Sequence, residues 1–190
     1  MSIVLQGSTS GSVTLQEPAV AGSTVLTLPA ISGTILTTGS SGQSIPKAAL
    51  PTGSVLQVVN ASYGTQVSSA SSTYADSGLS ASITPTSATS KILVIVHQTG
   101  LFKSGSATRV ALRLLRGSTS LIVFEWGAGT TDSSATISPA GSGVTYLDSP
   151  ATTSAITYKT QLASTNNSSE VRVNLDNNSS STITLMEIAA

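Results

Sequence analysis

The chain offers few side chains able to do chemistry, and they are scattered. His97 is the only histidine and there is no cysteine, so a zinc site has no ligand set to draw on. A Ser-His-Asp triad would have to use His97. That residue lies in the aliphatic run Lys91–His97, where a structural role is expected, and no G-x-S-x-G elbow presents a nucleophile. Glu125, Asp132, Asp148 and Glu170 are the right residue type for a glycosidase pair, but nothing in their spacing brings two together. Asp76-Ser77-Gly78 and Asp176-Asn177-Asn178 lack the ligand spacing and distal Glu of a calcium loop, so turn chemistry explains them better. No glycine-rich phosphate loop occurs. No catalytic residue, metal ligand or cofactor is therefore expected.

Phe124 and Trp126 flank Glu125 and share a face by the period of two of a strand. Core packing is the expected role of the pair. Its sharper alternative is a platform that stacks on sugars, beside the loop Gly127–Ser134. With aromatics at 4% and Trp126 the only tryptophan, a polysaccharide-degrading cleft is not expected.

The elements that would position these residues are strands. About a third of the 190 residues are Ser or Thr, and 8% are charged against roughly 25% in an average soluble domain. Apolar content is near normal and net charge is zero, which excludes a solvated disordered tail. The eight Lys and Arg form no run that would neutralise phosphates, so no nucleic acid is expected as a partner. No apolar stretch approaches the roughly 20 residues of a membrane span, and the opening MSIVLQGSTS lacks the basic start of a signal peptide. The lack of cysteine suits a protein made in a reducing cytoplasm.

Three regions follow. Residues 1–42 repeat a short unit: a strand, a Pro that stops it, an apolar residue and a Gly turn. Pro18–Gly22 is echoed by Pro29–Gly33, after the strands Val13–Leu15 and Val25–Leu28, and Ile35–Thr37 follows. The apolar positions Val13, Leu15, Val25, Leu26, Leu28, Ile31 and Ile35 cannot build a core alone. Neighbouring copies would have to cover them, as a shaft or a docking segment. Residues 43–52 form a Pro-containing hinge. Residues 53–190 carry nine or ten strand signals with Asn/Ser/Gly turns.

These signals are Ser54–Val59, Ser72–Asp76, Leu79–Thr84, Lys91–His97, Thr108–Arg116, Leu121–Trp126, Val144–Leu147, Ala155–Leu162, Val171–Leu175 and Thr182–Ile188. A Ser-Gly turn should join the second and third, and Gly117-Ser118 should turn a hairpin. Lys91–His97 is apolar on both faces and reads as a central strand buried on both sides. With no helix to make parallel crossovers, the fold class is all-β: an antiparallel β-sandwich of jelly-roll type after an extended β-repeat segment.

Several stretches resemble phage fibre-like structural proteins of the tail-fibre and capsid-fibre kind. Thr27–Leu36 is similar to their N-terminal repeats and Leu50–Val59 to the start of their C-terminal β-domain. Tyr74–Leu79, Ile83–Pro85, Ser90–Val94, Tyr146–Pro150, Thr157-Tyr158 and Thr182–Ile188 continue the likeness in order. The resemblance implies a non-enzymatic virion appendage, commonly a homotrimer. Its first segment would meet other virion proteins, and its far end would meet a host cell-surface glycan. A capsid decoration or head-fibre protein, and a lectin-like module, are the alternatives.

Overall fold

A computed structural model describes residues 3–6, 9–10, 12–15, 50–128, 136–138 and 141–190. The chain divides into two units, Met1–Ser44 and Ile45–Ala190. In the first, β1 (Ile3–Gln6) and β2 (Ser12–Leu15) pair antiparallel, with Ile3 opposite Leu15 and Gln6 opposite Ser12. Val13 and Leu15 thus lie on a paired strand. Val25, Leu26, Leu28, Ile31 and Ile35, with the repeat they belong to, lie outside the described residues.

The second unit is an antiparallel sandwich. Its eight longer strands are β3 (Val55–Tyr63), β5 (Ala75–Ile83), β6 (Lys91–Gln98), β8 (Val110–Arg116), β9 (Thr119–Ala128), β11 (Ser142–Asp148), β12 (Ile156–Ser164) and β14 (Ser181–Ile188). They form two sheets, ordered β11-β6-β14-β3 and β5-β12-β8-β9. First and last strands pair, and successive strands alternate between sheets except at the β8–β9 hairpin, which is the jelly-roll arrangement. Period-two alternation decides the inward faces. Leu79, Ala81 and Ile83 meet Ile92, Val94, Val96, Leu114, Tyr158, Ile183 and Leu185 in one core.

The four connections at the end reached by β3 are woven together. The links β3–β5, β6–β8, β9–β11 and β12–β14 contribute β4 (Val67–Ser69), β7 (Leu101–Lys103), β10 (Thr136–Ser138) and β13 (Val171–Val173) respectively. These form a third sheet, β10-β7-β13-β4, that caps this end over a second core of Leu101, Val110, Leu112, Leu162, Val171 and Val173. At the opposite end Gly53 N–H donates to the Ala189 carbonyl (2.8 Å) and Ala189 N–H to that of Ser54 (2.9 Å), so β3 and β14 share the entry end.

Three expectations change. Ser72–Asp76 and Leu79–Thr84 are not two strands around a Ser-Gly turn. They merge into β5, because Gly78 takes φ +84° and absorbs a bulge opposite Thr160. Lys91–His97 is interior to its sheet but buried on one face only: Ile92, Val94 and Val96 are enclosed, while Ile95 and His97 face out. Val171–Leu175 stops at Val173 because Asn174, at φ +53°, turns the chain into a short 3-10 turn, Leu175–Asn177. The Gly117-Ser118 hairpin joins β8 and β9, with Arg116 opposite Thr119 and Gly117 at φ +56°.

Candidate functional site

The sequence-picked aromatics lie on β9, an edge strand paired only with β8. Leu112 opposes Glu125 and Arg113 opposes Val123, which leaves Phe124 as the extra residue of a bulge. The bulge breaks the period of two. Phe124 is half-buried and packs against both cores, whereas Trp126 is 57% exposed. The structure does not present the two rings as one stacking surface. Glu125, between them, turns its Oε1 back to accept the backbone N–H groups of Trp126 (3.0 Å) and Gly127 (2.8 Å).

Asp148 and Glu170 are also engaged. Asp148 is 6% exposed where β11 of one sheet meets β8 and β12 of the other. The Arg116 guanidinium donates to both its oxygens (2.9 and 2.8 Å), and the Tyr158 hydroxyl donates to Oδ2 (2.6 Å). Burial, then that hydrogen bond to a carboxylate, push the Tyr158 hydroxyl above its ordinary pKa. Glu170 pairs with Arg172 on the cap (2.6 Å). The Arg172 hydrogen bond holds its carboxyl below the usual range against partial burial. Arg172 also lies over the Phe102 ring, 4.8 Å from its centre. Asp132 lies outside the described residues.

Glu187 was not singled out by the sequence, yet it is fully buried without a basic partner. Thr86 donates to Oε1 through its N–H and its hydroxyl (2.7 Å each), and Gln57 Nε2 donates to Oε2 (2.6 Å). Burial pushes the carboxyl up, but the Thr86 and Gln57 hydrogen bonds outweigh it and hold its pKa at about 2. Next to it an open cleft of about 410 Å³ is lined by Leu50, Leu56, Thr86, Ser90 and Ala189.

A polar layer separates the two cores. Inward positions that would otherwise be aliphatic are Ser77, Gln98, Thr160 and Ser181, all buried. Thr160 donates to Gln98 Oε1 (3.0 Å) and Gln98 Nε2 donates to Ser181 Oγ (2.8 Å). Ser181 in turn donates to Asn174 Oδ1 (2.6 Å), and Asn174 Nδ2 to the Thr65 carbonyl (3.1 Å). Ser77 joins by donating to the Thr160 carbonyl (3.1 Å). The chain links β5 and β12 to β6 and β14, and then to the cap.

Among the described residues, no three His, Cys, Asp or Glu side chains cluster to hold a metal, and no helix is long and apolar enough to cross a membrane. No family model and no curated protein matches this chain.

The two outer faces differ in chemistry. On β5-β12-β8-β9, Asp76, Gln161 and Arg113 stand in one row across three strands. Arg113 donates to Gln161 Oε1 (2.9 and 2.6 Å), and Gln161 and Lys159 donate to Asp76 (2.7 and 2.8 Å). Arg113 also stacks on Tyr74, 4.2 Å from the ring centre. On β11-β6-β14-β3 the matching row is Val58, Met186, Leu93 and Leu147, with Ile95 in the next. Val55, Val58 and Leu147 are half exposed or more. The signal for this face was the unbroken aliphatic run of β6, which does not distinguish burial in the core from an uncovered outer surface.

Proposed function

We propose that this chain is a non-enzymatic structural protein of a virus particle, a trimeric tail-fibre or spike component whose jelly-roll head contributes to host-surface attachment. One observation carries the reading: a two-stranded segment and a jelly roll are joined in one chain. A lone antiparallel pair is marginal in water. Among the described residues of the first unit, β1 and β2 are the only sheet, and both are edges. Neighbouring copies supply what such a pair lacks, and closed symmetry supplies it to every copy at once.

Two further facts support the reading. Three carboxylates of the head hold its own backbone and sheets: Glu125 caps the edge strand, Asp148 clamps Arg116 and Tyr158, and Glu187 ties the loop at Thr86 to β3. The stretches that resemble phage fibre-like proteins fall on such points, including the Gly78 bulge, Asp148 and Tyr158. Purified particles probed with an antibody against the chain test the assignment. A few dozen copies or fewer beside the tail are expected. Hundreds spread over the shell would replace fibre with capsid decoration, and absence from particles would end the reading.

A further inference from the structure

We draw no further inference here: the strongest candidate, the open cleft of about 410 Å³ where the ends of β3 and β14 meet the loop between β5 and β6, carries nothing, because no described side chain lining it is charged, the neighbouring Glu187 is already held by Thr86 and Gln57, and nothing in the structure shows what would fill it.

Discussion

Asp148 receives one guanidinium and one phenol where the two sheets converge. Losing a donor there is costly because the remaining groups are already out of water. Tyr158→Phe removes a hydrogen bond to a charged group and is expected to lower unfolding free energy by about 1.5–3 kcal/mol in a urea titration. Glu187 makes a different prediction, because its folded pKa of about 2 lies below its ordinary 4.5. A depressed carboxyl contributes stability that is complete above the unfolded pKa and disappears as pH falls through the folded one. Wild type should therefore lead Glu187→Gln by up to about 3 kcal/mol at pH 7, and the lead should shrink between roughly pH 5 and pH 2. A pH-independent gap in parallel urea titrations would remove the carboxylate from that role.

The strands themselves were legible in the sequence because alternation and turn residues state them locally. β8, β9 and their Gly117 turn came through nearly whole, and β14 with them. Features set by tertiary contact were not legible. Gly78 looked like a turn because nothing local reveals that the Tyr63 ring packs onto it, where an added Cβ would collide with the ring. Gly78→Ala should thus cost about 1–3 kcal/mol more than Gly117→Ala, which also has positive φ but open space around it. The cap strands β4, β7 and β10 are three residues each, too short for a periodic signal, and pair only with one another and with β13. The polar layer was hidden for a related reason: Ser77, Thr160 and Ser181 read as ordinary members of a Ser/Thr-rich chain until Gln98 joins them. Gln98→Leu would take one partner each from the buried Thr160 and Ser181 hydroxyls, which keep Ser77 and Asn174, and should destabilise by about 1–3 kcal/mol. Phe124 and Trp126 were legible as a pair on a strand but not as a pair split by a bulge.

For the whole molecule, the jelly roll's interior is filled by two cores and the polar layer between them, which leaves its surfaces to carry function. One sheet bonds its outer charges to each other and exposes Val123 and Trp126 on its edge strand, and the other leaves Val55, Val58 and Leu147 exposed. Among the described residues, the β1-β2 pair has two open edges. The proposed trimeric virion appendage would give those edges neighbours. The mass of the full chain by native mass spectrometry or light scattering, followed down a dilution series, tests this most directly. The account predicts a species three times the 19.0 kDa of one chain, persisting on dilution. A folded single chain at every concentration would contradict it.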